Sequence, residues 1–159
     1  MEVVDKAISN GVFDIAIADH DTIEAYSEEL FQYANNKGVH IIPAVEISTK
    51  IKKCGIHVLG YNFDLNNKEL LDRLKLLRNA RHNYLYGVAK KLEELGYIVH
   101  TSELDKIEAV TKAHISLDVI TNPDNKEKLI EEFGYIPDKG EFIETIMNEG
   151  CPAYVLKDT

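Results

Sequence analysis

Ile15-Ala16-Ile17-Ala18-Asp19-His20-Asp21-Thr22 is an apolar run that breaks into an acid, an imidazole and a second acid. A strand that is apolar on both faces belongs inside a parallel sheet or barrel, and the carboxyl end of such a strand is where those folds carry chemistry. Two later stretches repeat the arrangement: Ile42-Pro43-Ala44-Val45-Glu46-Ile47-Ser48 and Ile56-His57-Val58-Leu59-Gly60-Tyr61. Three successive strands therefore deliver His20, Glu46 and His57 toward one rim. Imidazole and carboxylate are borderline-to-hard metal ligands, so their convergence points to a metal centre.

Working outward, residues 2–10 read as a short helix with Val3, Val4, Ala7 and Ile8 on one side and Gly11 as its stop. Residues 12–18 form the first buried strand. Thr22 stands as the N-cap of a helix over 23–37, which Gly38 closes. Residues 39–45 form the second buried strand, completing a βαβ unit expected to be right-handed and parallel. A hairpin is expected next, with 46–51 running out, a Lys52-Lys53-Cys54-Gly55 turn, and 56–63 running back. With the register centred between Ile51 and Lys52, Glu46 and His57 stand directly opposite on one face, Cβ atoms about 4.5–5.5 Å apart. A slip of one residue sends them to opposite faces.

From Asp64 the texture changes. Leu70, Leu74, Leu77, Leu85, Val88, Leu92 and Leu95 recur at three- and four-residue steps, which predicts a helix over 68–95 with a packing seam about 40 Å long, ended by Gly96. Shorter helices are expected over 102–109, 114–121, 125–133 and 139–148, separated by turns at Pro123 and Pro137. Residues 153–156 read as the start of another extended segment. The organisation is an α/β portion over 1–63, an all-helical portion over 64–150 and a return over 151–159.

The 159 residues, 45% of them hydrophobic, are enough for one domain of ordinary size. A net charge of -9 argues against non-specific duplex DNA binding, which needs a basic surface to release counterions. An anionic substrate remains open if bound dications reverse the local sign. No run is long enough to cross a bilayer, and the start lacks the regions of a signal peptide. Cys54 and Cys151, far apart, read as reduced thiols of a cytoplasmic protein.

The motifs resemble the polymerase-and-histidinol-phosphatase (PHP) family of metal-dependent phosphoesterases. Asp19-His20-Asp21-Thr22 is similar to that family's second motif, Pro43-Ala44-Val45-Glu46-Ile47-Ser48 to its third, and His57-Val58-Leu59-Gly60-Tyr61 to the strand that follows. Leu77-Arg78-Asn79-Ala80-Arg81, Lys112-Ala113-His114-Ile115 and Gly150-Cys151-Pro152-Ala153-Tyr154-Val155 resemble the insertion of the stand-alone nucleotide phosphatase branch. Members of that branch remove phosphate from nucleoside 3′,5′-bisphosphates or trim short oligonucleotides. The resemblance implies an α/β fold, a partial PHP-type distorted β/α barrel carrying an all-helical insertion. The family's opening His-x-His strand and its closing His and Asp-x-His strands have no counterpart in the 159 residues, so the chain is expected to be the middle of such a protein.

Carried over by resemblance, His20 binds one metal of a cluster, Glu46 bridges two ions and His57 adds a ligand, while Asp19 and Asp21 support the ligands or cap the loop. Each has an ordinary reading beside it: a helix-capping turn for the Asp-His-Asp run, a solvated edge-strand carboxylate for Glu46, a core histidine for His57. Lys112 and His114 match the family's Arg-x-His pair that grips substrate phosphate. Lys in the Arg position keeps the charge and loses the bidentate geometry. His114 is equally well a helix-start residue, and Arg81 and Arg78 either meet the anion or pair with glutamates on the surface. His40, His82 and His100 carry no motif.

The resemblance implies hydrolysis of phosphate esters of nucleotides or short oligonucleotides. Divalent Mn, Fe or Zn, up to three ions in a complete member, would activate the attacking water, and no side chain would act as nucleophile. The chain alone is expected to turn over little or nothing, since most of the family's ligands fall outside it. The rival is a non-catalytic PHP remnant acting as a binding or structural module. A third candidate, the domain attached to bacterial replicative polymerases, is disfavoured by the helical insertion after Asp64. No duplex DNA and no membrane partner are expected, and incomplete barrel edges favour self-association.

Overall fold

The computed structural model describes residues 1–51 and 54–156. They fall into two compact units, one covering Met1–Leu77 and one running from Arg78 onward. Among the described residues no helix is long and apolar enough to cross a membrane.

The first unit comprises α1 (Glu2–Ser9), β1 (Asp14–Ile17), α2 (Glu28–Asn36), β2 (His40–Ile51), β3 (Cys54–Tyr61) and the start of α3 (Lys68–Glu94). The strands form one sheet in the order β1-β2-β3. β1 and β2 are parallel, from Asp14 against His40 to Ile17 against Pro43, as a βαβ unit requires. Val4, Leu30, Ala34, Val39 and Ile41 form a small core, with Ile15, Ile17 and Tyr26 packed against it. The expectation that β1 is covered on both faces fails: Ile15 and Ile17 are partly covered, while the alternating Asp14 and Ala16 are exposed. β3 presents Ile56, Val58, Leu59 and Tyr61 largely to solvent.

The helix expected over 23–37 begins five residues later. Ser27, not Thr22, is its N-cap, accepting from the Leu30 amide at 3.1 Å. Residues 23–26 are spent on a turn in which Thr22 Oγ1 accepts from the Glu24 amide at 3.3 Å. That turn carries Tyr26 to the junction of β1 and β2. Pro43 lies in the central strand, where a proline cannot donate to the ladder. The Tyr26 hydroxyl fills the interruption: it accepts from the amides of Ile17 (3.0 Å) and Ala44 (2.7 Å), and donates to the Ile17 carbonyl at 2.5 Å.

The hairpin strands stay paired further than the sequence suggests. β2 runs through Ile51 and β3 starts at Cys54, paired with it, and the partner of His57 is Ser48 while Glu46 faces Leu59. Cys54 and Gly55 belong to the strand, and the expected turn residues Lys52 and Lys53 lie outside the described residues. The register is displaced by two residues from the expected one. Because side chains alternate with a period of two, Glu46 and His57 still share a face, as diagonal rather than opposite neighbours.

The second unit is helical. The rest of α3 leads to α4 (Thr101–Leu104), α5 (Lys112–Thr121), a 3-10 turn at Pro123–Asn125, α6 (Lys126–Phe133), and α7 (Lys139–Phe142), which widens into a π turn over Ile143–Met147. α4 is half the length expected over 102–109. The seam of α3 is as predicted: Leu85, Val88 and Leu92 pack with Ile115, Val119, Leu129, Phe142 and Met147. Residues 153–156 join no strand. Instead Val155 lies over the helix backbone at Gly87, where a Cβ would stand 3.1 Å from its Cγ1, and the Lys91 ammonium donates to the Tyr154 carbonyl.

Candidate metal centre

The β1–β2 ladder breaks after Ile17 and resumes at one point beyond the strand. His20 pairs with Glu46 in parallel, at the same offset of 26 residues that relates Asp14 to His40. The Glu46 amide donates to the Asp19 carbonyl at 3.0 Å, and the Asp21 amide donates to the Glu46 carbonyl at 2.9 Å. His20 is thus fixed beside Glu46 by backbone on both sides. β3 brings in His57 from the other edge.

The three side chains meet. His57 Nδ1 lies 2.8 Å from Glu46 Oε1 and His20 Nδ1 lies 3.3 Å from Glu46 Oε2. The two imidazoles stand edge to face with centroids 4.8 Å apart. One ligand atom from each of the three residues falls within 4.8 Å of the others, and all three side chains keep some solvent access. Two imidazoles and a carboxylate form a donor set that suits Zn, Fe or Mn, and three protein donors leave positions for water or substrate. On its donor chemistry the group fits a divalent ion.

Asp21 holds the loop. Its side chain is fully buried, its Oδ1 accepts from the Ser48 amide at 2.7 Å, and its φ of 55° lies in the left-handed region that aspartate tolerates better than most residues. Asp19 contributes its carbonyl to Glu46 while its side chain faces solvent. Tyr26 and Ser48 support this corner, and motif reading missed both. A proline in mid-strand was the available signal that something had to replace its amide.

Arg81, Lys112 and His114 belong to the second unit. Arg81 is only 4% exposed, and its guanidinium donates to the Val110 carbonyl at 3.3 Å. The Lys112 ammonium donates to Asn148 Oδ1 at 3.0 Å, and burial lowers its pKa. Burial, reinforced by the charge of Arg81, lowers the pKa of His114 as well. His114 is also a helix-start residue, closing the cap of α5 with Thr111. Arg78 pairs with Glu108 at 2.5 Å.

The remaining histidines have carboxylate partners: His40 with Asp14 at 3.2 Å, His82 with Asp105 at 2.7 Å and His100 with Asp118 at 2.8 Å. Hydrogen bonds from Tyr86 and then His82 hold the Asp105 carboxyl below its usual range.

No protein-family model matches the chain. It is 29% identical over 157 residues to a 5′-3′ exoribonuclease of Haemophilus influenzae, an alignment covering 97% of this chain and 53% of that protein. It is 29% identical to the Escherichia coli 5′-3′ exoribonuclease Rnm over 120 residues, covering 72% and 40% respectively. The chain thus spans about half the length of the first of these relatives, and less of the second. Among solved structures, an amidohydrolase from Chromobacterium violaceum with sulfate bound and no metal matches 97% of this chain and 51% of its own, with a TM-score of 0.74 at 21% identity. A candidate metal-dependent phosphoesterase from Bifidobacterium adolescentis matches 99% and 53%, with a TM-score of 0.76 at 17% identity.

Proposed function

We propose that this chain, a PHP-like relative of the metal-dependent phosphoesterases and amidohydrolases, carries part of a phosphoesterase site that acts on phosphate esters of nucleotides or short oligonucleotides. The observation that carries the reading is the meeting of His20, Glu46 and His57 around one point. The exoribonuclease names of the sequence relatives support the nucleotide class. When bound at such a trio, Mn, Fe or Zn acidifies water and offsets phosphate charge.

The chain's own residues divide the remaining work. Glu46 offers an oxygen to each histidine, so one carboxylate orients both rings. Asp21 keeps the His20 loop closed against β2. Within the second unit, taken by itself, Lys112 and His114, with Arg81 facing the His114 ring, are a candidate phosphate contact. Lys112 acts there as a point charge, without the bidentate fork of an arginine. With three candidate metal ligands among the described residues, against the larger set implied by resemblance, the expected outcome for this chain is binding with little or no turnover. The exposed apolar side chains of β3 favour self-association.

Equilibrium binding of a 5′-phosphorylated dinucleotide tests this reading, measured with and without Mn²⁺ on the wild type and on His57→Ala. The expected result is binding that Mn²⁺ strengthens in the wild type alone, with no phosphate or nucleotide released. Release by the wild-type chain would overturn the inactive part of the reading. Binding indifferent to Mn²⁺ and to His57 would overturn the phosphoesterase part and leave a non-catalytic module.

A further inference from the structure

Thr111 caps α5 in an unusual way. Its hydroxyl oxygen accepts from the His114 backbone amide at 3.4 Å, and its own backbone amide donates to His114 Nδ1 at 3.1 Å. The same hydroxyl oxygen lies 3.1 Å from Nδ1. In a capping box the third helical residue is ordinarily Glu or Gln, whose side chain can only accept from the cap amide or adapt to it. Here an imidazole takes that place. An imidazole nitrogen that accepts a backbone N–H carries no proton, so the proton of the neutral ring sits on Nε2. Protonating Nδ1 would set two N–H groups against each other.

The surroundings act in the same direction. The charged group facing the ring from α3 is Arg81, and partial burial disfavours a second cation beside it. On its own helix Lys112 stands two residues earlier, with its ammonium on Asn148 Oδ1 and in the vicinity of Cys151. Geometry and environment therefore agree.

We infer that Thr111 is a positioning residue that locks His114 as its neutral Nε2–H form, so that the ring offers a phosphate oxygen one hydrogen bond and no charge. The inference rests on the reading of His114 as a phosphate contact, and it assigns that contact a chemical character. The positive charge is then left, among the described residues, to Arg81 and Lys112. Anion binding then does not follow histidine protonation across about pH 6–8, where an ordinary imidazole titrates.

Nitrogen NMR of the imidazole side chains in the whole chain tests it, with His114 resonances assigned through His114→Gln, in the wild type, Thr111→Ser and Thr111→Val. The expected wild-type spectrum has Nε2 protonated and Nδ1 bare, unchanged from about pH 8 to about pH 6. Thr111→Ser keeps the cap and the spectrum. Thr111→Val loses the hydroxyl, loosens the first turn, and shows mixed tautomers with a titration moved up toward the ordinary value. Inorganic phosphate shifts the Nε2 resonance without protonating the ring. A wild-type ring protonated on Nδ1, or already an imidazolium near neutral pH, overturns the inference, as does a Thr111→Val spectrum identical to the wild type. If the form is as stated but phosphate leaves Nε2 unmoved, the donor role is overturned, while Mn²⁺-dependent dinucleotide binding still decides the wider reading separately.

Discussion

Glu46 shows how much one residue can be asked to do: its amide and carbonyl hold the two ends of Asp19–Asp21, and its carboxylate meets two histidines. Asp21 is the reciprocal device, a buried carboxylate whose oxygen accepts from the Ser48 amide two residues beyond Glu46. Removing it leaves that buried amide without this acceptor, a loss of about 1–3 kcal/mol. Asp21→Ala is accordingly expected to lower the urea midpoint by a corresponding amount and to weaken divalent-ion binding as well, since the His20 loop is released. Unchanged metal affinity in a destabilised Asp21→Ala would show that the loop does not set the site. At this scale the sequence was informative about the convergence of His20, Glu46 and His57 and about the face that Glu46 and His57 share. It misled on the cross-strand partners: Glu46 meets Leu59 and His57 meets Ser48, where the hydrophobic pattern alone had set Glu46 against His57. The two-residue displacement did no harm only because alternation has a period of two.

Among elements, the β1–β2 junction is the least ordinary. A parallel pair in which the central strand carries Pro43 loses a ladder bond where the chain must turn toward His20. Tyr26 closes that gap with one hydroxyl serving two amides and a carbonyl. Tyr26→Phe keeps the ring's packing and strands these groups, with a predicted destabilisation of about 1–3 kcal/mol, readable as a lower urea midpoint at unchanged slope. A neutral Tyr26→Phe would mean that the hydroxyl is dispensable to the junction. Hydrophobic period made α3 and its buried seam legible, since Leu85, Val88 and Leu92 repeat at helical spacing. The start of α2 was not legible from the same pattern. Thr22 and Ser27 are both good N-caps, and what decides between them is the tertiary contact of Tyr26, which no local preference encodes.

At the scale of the whole molecule, the chain is acidic, with a net charge of -9, yet one of its strands is apolar and open. Ile56 and Val58 lie on the β3 face opposite His57, so they can be changed without touching the ligand face. The double substitution Ile56→Lys with Val58→Lys is expected to shift sedimentation toward the monomer at high protein concentration while leaving the metal response intact. An unchanged association state would place the contact elsewhere. The solved structures that share this fold over 97% and 99% of the chain are about twice as long, as the 51% and 53% coverage of their own chains shows. The meeting of His20, Glu46 and His57 lies within the first unit alone. Its most direct test is thermal melting of the purified chain with and without Mn²⁺ or Zn²⁺, repeated on Glu46→Ala and His57→Ala. The expected result is a metal-induced rise in Tm for the wild type that both substitutions abolish. A wild type indifferent to either ion, or a rise that persists in both variants, would contradict it.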